Sequence, residues 1–120
     1  MAKPLRDRAT VLVIRDGKVL LVRGSSGRFR EFAMPGGGIE NGELPIVAAA
    51  RELHEETNLR ASSIEYLLTH DTAIHRHVVF QVEAEGDVEI GPEIGASVWW
   101  DKREELPLFS HVTGILKGLG

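Results

Sequence analysis

Apolar and polar positions alternate along this chain in two different rhythms. From Ala9 to Gly24 the run ATVLVIRDGKVLLVRG is nearly all apolar on either side of a polar break at Asp16-Gly17. Short Val, Leu and Ile runs suit strands, and Asp-Gly is a strong hairpin signal, so two strands meeting at that dipeptide are predicted. SSGRFREF is polar and contains Gly, and AMPGGGIENGE is dominated by turn residues; both read as loops. The rhythm then becomes helical. Over Pro45 to Thr57, at about 100° per residue, Ile46, Ala49, Ala50 and Leu53 gather on one side as the stripe to be buried on a sheet. Pro45 suits a first helical turn. Leu44 is a poor N-cap, and Asn58 can take the left-handed backbone that ends a helix. SIEYLLTHD and HRHVVFQVEAEG read as two more strands, and ASVWWDK as another after the turn-rich GDVEIGPEIG. SHVTGILKGL reads as a final helix with Ser110 as N-cap, weakened by Gly114. Strands around one helix, followed by a second, predict an α/β or α+β layer fold. With no repeat or low-complexity linker, residues 1–120 are expected to form one domain.

Composition narrows the function classes. At 42% hydrophobic and 27% charged the chain is globular rather than disordered. A net charge of −4 argues against a nucleic-acid polymer as partner, which asks for a basic surface, but leaves free nucleotides open. The absence of cysteine excludes disulfides, a thiolate nucleophile and cysteine zinc sites. MAKPLRDR lacks an apolar signal core, and no apolar stretch is long enough for a membrane helix. A cytoplasmic protein without a membrane partner is expected.

The segment RELHEETN raises a chemical question. On a helix Glu52, Glu55 and Glu56 sit at i, i+3 and i+4 and share a face. Like charges so placed repel by roughly 0.2–0.5 kcal/mol per pair. Near the helix C-terminus each costs about 0.3–1 kcal/mol more against the helix dipole. A hard cation would remove that cost. Mg²⁺ takes oxygen ligands and keeps several waters, leaving places for substrate phosphates. Taken alone, an acidic run is more often a solvated helix face, and PGGG is more often a turn.

The two features together narrow the choice. Gly37, Glu43, Arg51, Glu52, Leu53, Glu55, Glu56 and Leu59 match the pattern Gly-x5-Glu-x7-Arg-Glu-U-x-Glu-Glu-x-Gly-U, with U a bulky aliphatic. This stretch resembles the Nudix box. Asn58 stands in the final Gly slot, and Asn is the next best residue for that backbone conformation. VLLVRG before the box and the Trp-containing strand after it also look like the family's flanking strands.

The resemblance implies a mixed sheet between helices, with the box forming loop–helix–loop. It implies hydrolysis of a nucleoside diphosphate linked to another group X, with Mg²⁺ or Mn²⁺. Carried over, Glu52, Glu55 and Glu56 hold the ion or stand beside its water, and Gly37 or Gly38 adds a backbone carbonyl. Arg51 orients the carboxylates, Glu43 ties loop to helix, and Glu52 or Glu55 is the candidate base. Glu93, in GPEIG, is a candidate further acidic ligand.

Gly36, Gly38 and Arg23 are the candidate substrate contacts, since Arg offers phosphate a fork of donors. Arg28 and Arg30 read as solvated, and Phe32 as core. His70, His75 and His77 lack the partners of a zinc site. Trp99 and Trp100 point to opposite faces of their strand, one of them buried. The family's tags for ADP-ribose or dinucleotides are missing, which leaves a nucleoside triphosphate as leading substrate. The alternative is a Nudix-like module that senses a nucleotide without hydrolysing it. Either a monomer or a homodimer fits.

Overall fold

A computed structural model describes residues 3–119, so the start MAKPLRDR is seen from Lys3 onward. Its elements run β1 (Arg6–Leu12), β2 (Ile14–Arg15), β3 (Lys18–Gly24), β4 (Gly36–Gly38), α1 (Pro45–Thr57), β5 (Arg60–Asp71), β6 (His75–Glu85), β7 (Ile94–Trp100) and α2 (Ser110–Gly118). The strands form two sheets, one in the order β4-β1-β6-β5 and one in the order β2-β3-β7. The first is mixed, because β1 runs parallel to β6 while its other pairings are antiparallel.

The continuous apolar run of β1 has a reason. Ala9, Val11 and Val13 pack with Ala48, Ala49 and Leu53 of α1. Leu12, on the opposite face, packs with Val112 and Ile115 of α2. A strand covered by a helix on each side is apolar at every step. The mixed sheet therefore lies between the two helices, and this layered α+β arrangement is the fold class expected.

Four local readings need correction. The first apolar run breaks at Val13, where the chain passes from the mixed sheet to the second sheet. The hairpin still turns at Asp16 and Gly17, with φ of 54° and 75°, as a two-residue turn with both φ positive demands. The buried stripe of α1 is Ala48, Ala49, Leu53 and Thr57, whereas Ile46 is 40% exposed and Ala50 half-buried. The helix is rolled toward its glutamates, which an apolar wheel cannot show. Ser110 is the first helical residue of α2; Phe109 holds the cap position, without a side-chain cap. The Phe109 N–H donates to the Phe32 carbonyl, so backbone bonding fixes this entry instead. Finally, the glycine loop contains an edge strand, β4, paired with β1. At the other end of the box Asn58 takes φ 64° and closes α1 as expected, its N–H donating to the His54 carbonyl.

Candidate active site

The glycines of β4 strip side chains from the sheet edge facing α1. At Gly36, φ is 152°, and a Cβ would lie 2.2 Å from the Ala9 carbonyl oxygen. At Gly37 a Cβ would lie 2.4 Å from the carboxyl carbon of Glu52. The Glu52 carboxylate thus fills the space a side chain would take. One turn on, Glu56 Oε1 accepts the Gly36 N–H at 3.0 Å. The helix carries these two acids over the bare strand into the cleft beside it.

The two glycines should therefore fail differently. Gly36→Ala meets backbone in a conformation that only glycine holds easily, and should cost about 1–3 kcal/mol of stability in chemical denaturation. Gly37→Ala meets only a movable carboxylate. It should fold nearly as well as wild type while displacing Glu52, so that activity falls without a matching drop in melting temperature.

Arg51 organises the acids. Its Nε and Nη2 hold Glu43 at 2.7 and 2.9 Å, its Nη1 donates to Glu52 Oε1 at 2.8 Å, and Nη2 reaches the Gly38 carbonyl at 3.3 Å. Hydrogen bonding from Arg51 draws Glu43 down to about 2. Glu43 in turn holds the guanidinium charged beyond its usual range. Loop and helix are thus tied together, and one oxygen of Glu52 is oriented while Oε2 has no hydrogen-bond partner among the described residues.

The cleft has a volume of about 390 Å³, and Glu52, Glu56, Glu93, Arg8 and Gly36 to Gly38 share its wall. Burial pushes Glu56 up to about 7; Glu52 and Glu93 add repulsion, against the Gly36 N–H and the charge of Arg8. Glu93 arrives from the loop before β7. There the Gly91 N–H donates to the Glu56 carbonyl, and the Ser25 N–H to that of Glu93. A Cβ at Gly91 would stand 2.2 Å from the Glu55 carbonyl oxygen, so this close seating also needs glycine.

The donor set suits a hard cation, being all oxygen, with Glu52 Oε2 unbonded and Glu56 without an ion-pair partner among the described residues. Among the described residues no three acidic or histidine side chains enclose a point as a complete cage. An ion here would draw on fewer side chains, with carbonyl, water or substrate oxygens completing its shell, which is how Mg²⁺ is usually held.

Other candidates fall elsewhere. The Glu55 side chain is 54% exposed, paired with Arg51 at 3.4 Å, and stands outside the cleft wall. Arg23 lies over the Phe32 ring, 5.0 Å from its centroid, in an adjoining hollow of about 300 Å³ with Arg30 and Phe29. Phe32 itself is core, as is Trp100, while Trp99 lies under Arg15. Arg28 is exposed over Phe29.

His77 is buried, its Nδ1 2.7 Å from Thr10 Oγ1, and its ring stacks on His111 at 4.4 Å. The Met34 N–H donates to His111 Nε2, so that nitrogen carries a lone pair. Burial, with Arg8 nearby, lowers His77 to about 4 and His111 to about 3, making this a neutral layer beneath the cleft.

Sequence reading missed Arg8 and His111. Arg8 stands opposite both Gly38 and His77, through pairings that join residues 30 and 69 positions apart. Its place two before buried Thr10 was the available signal.

Comparison with known proteins agrees with this fold. The family model for the NUDIX domain matches residues 4–117. The chain belongs to the NUDIX family. A nudix hydrolase family member from Chromobacterium violaceum, of known crystal structure, superposes on this NUDIX chain with a TM-score of 0.86. It is 29% identical, and the match covers 99% of this chain and 79% of that one. An octanoyltransferase from Myxococcus xanthus is 34% identical over 83% of this chain and 32% of its own length. An RNA pyrophosphohydrolase from Cereibacter sphaeroides is 39% identical over 48% of this chain and 35% of its own. The NUDIX chain thus spans about a third of the length of these two curated relatives.

Proposed function

We propose that this chain hydrolyses a pyrophosphate bond in a nucleoside diphosphate linked to a second group, a nucleoside triphosphate being the leading substrate, with Mg²⁺ as cofactor and Mn²⁺ as its substitute. One observation carries the reading. Glu52 and Glu56 are each anchored by one oxygen, at Arg51 and at the Gly36 N–H, while their carboxylates share a cleft with a cation, Arg8. The matching NUDIX model and the box, complete but for Asn58 in its last Gly slot, support it.

Glu52, Glu56 and the Gly37 carbonyl would hold the ion, with Glu93 adding its charge from the same cleft wall, since the Gly38 carbonyl already accepts from Arg51. Bound there, the ion supplies charge neutralisation for phosphate oxygens and a more acidic water. Phosphoryl transfer asks the protein mainly for positioning and electrostatics. Arg51 and Glu43 provide the first by fixing the carboxylates. Glu52, with Oε2 free, is placed to take a proton from the attacking water, and is preferred as base over the exposed Glu55. Gly38 leaves room for substrate against the backbone, whereas at Gly36 that space holds the Ala9 carbonyl; Arg23 is left to a part of X reaching the adjoining hollow.

A Mg²⁺-supplemented screen of nucleoside triphosphates, sugar nucleotides and dinucleotides, read as phosphate or pyrophosphate release, tests this. Turnover should vanish with chelator and fall at least about tenfold in Glu56→Gln. Mg²⁺ should also raise the melting temperature by binding only the folded site. Nucleotide binding without turnover, unchanged in Glu56→Gln, would instead identify a sensor.

A further inference from the structure

Among the described residues Arg8 is the only cation lining the cleft, and its surroundings leave its charge unanswered. It stands on β1 with Gly38 on one side and His77 on the other. Gly38 has no side chain, so nothing on the edge strand screens the guanidinium from the cleft it lines. Among the described residues Arg8 makes no ion pair and no side-chain hydrogen bond, and its Nε is shut off from solvent without an acceptor. Burying an unpaired donor is unfavourable, and more so for a charged group.

The neighbours explain why Arg8 stays unpaired. Glu52 is held by Arg51 and Glu56 by the Gly36 N–H, so neither turns to it. His75 and His77 offer no negative charge, and burial keeps both below the ordinary imidazole range. The charge of Arg8 is felt at Glu56 without a contact. A fixed cation thus faces fixed carboxylates across a gap. An anion with several oxygen acceptors fits between them, meeting the guanidinium directly and the acids through a divalent ion.

We propose that Arg8 is the anion-binding residue of this cleft, holding a phosphoryl group of the pyrophosphate. The proposal rests on the hydrolase reading above but assigns a residue that the box does not contain. A guanidinium suits this task because its planar fork matches phosphate oxygens.

Calorimetric titration with inorganic pyrophosphate in Mg²⁺ provides the test. Arg8→Gln should weaken binding about ten- to a hundredfold, a loss typical of a hydrogen bond to a charged group. Arg8→Lys should recover only part, since it restores charge but not the fork. Mg²⁺ alone should bind Arg8→Gln no more weakly than wild type, because a cation near its ligands has been removed. In wild type, the Arg8 Nε–Hε resonance, assigned by its disappearance in Arg8→Lys, should shift as Mg²⁺-pyrophosphate saturates the site. That reading stands even if Arg8→Gln fails to fold. Wild-type affinity in a folded Arg8→Gln, or an unmoved resonance at saturation, overturns the proposal. So does failure of wild type to bind pyrophosphate. Turnover by wild type with unchanged KM in Arg8→Gln would sink Arg8 and spare the hydrolase. Arg8-dependent binding without turnover would do the reverse.

Discussion

Replacing Glu52 with Gln should lower kcat/KM for Mg²⁺-dependent hydrolysis by about a hundred- to a thousandfold, or roughly 3–4 kcal/mol of transition-state stabilisation. The side chain fills the space over Gly37, takes one bond from Arg51, and leaves its other oxygen to the cleft. Gln keeps the shape and loses the charge that an ion or an acidified water requires. Stability should change little. Glu52 repels the buried Glu56 and helps raise it to about 7. Removing that charge relieves the repulsion but also weakens the 2.8 Å bond from Arg51, so Glu52→Gln should melt close to wild type without Mg²⁺. Steady-state kinetics alongside thermal melts would separate the two effects. A variant within about threefold of wild-type kcat/KM would remove Glu52 from the reaction. One that lost activity only because it unfolded would make its role structural.

Acid should weaken the fold well before its low-pKa carboxylates titrate, and the cause is the histidine layer. His77 and His111 sit at about 4 and 3 when folded, against 6.5 for an ordinary imidazole. The unfolded chain therefore binds more protons below 6.5, and the stability these neutral rings contribute is full above that pH. It drains away as pH falls through 6.5 toward the folded values. At pH 5 each ring accounts for about 2 kcal/mol, so the pair costs on the order of 4 kcal/mol relative to pH 7.5. His75, also lowered, adds in the same direction. Glu43, Asp71 and Asp101, all lowered, act mainly below pH 5.

Glu56 opposes this trend. Raised by burial to about 7, it gains stability on protonation over the same window. The measurement is therefore cleanest in Glu56→Gln, by urea denaturation at pH 7.5 and pH 5, where the full loss should emerge. Wild type should lose less. A Glu56→Gln protein equally stable at both pH values would mean that the buried rings are not the acid-sensitive element.

The sequence by itself determined a good deal. It placed the hairpin at Asp16-Gly17, because both turn residues must accept positive φ and that dipeptide does so cheaply. It placed α1 and its end at Asn58, where a left-handed residue is needed. The box spacing pointed to the family, and that resemblance assigned Arg51 to orienting the carboxylates and Glu43 to tying loop to helix. These features are local, set by backbone preference or by residues within one loop and helix. Only the tertiary structure decided which acids share a cleft. Glu52 and Glu56 reach it because β4 is bare of side chains, and Glu93 because Gly91 lets its loop press on the end of α1. Glu55, equal to them in the sequence pattern, points to solvent beside Arg51. Arg8 enters because β1 pairs with β4 on one side and with β6 on the other, which sets it beside Gly38 and His77. Strand pairing is a long-range choice made by burial on both sheet faces, and an apolar run reads alike whichever neighbour it has.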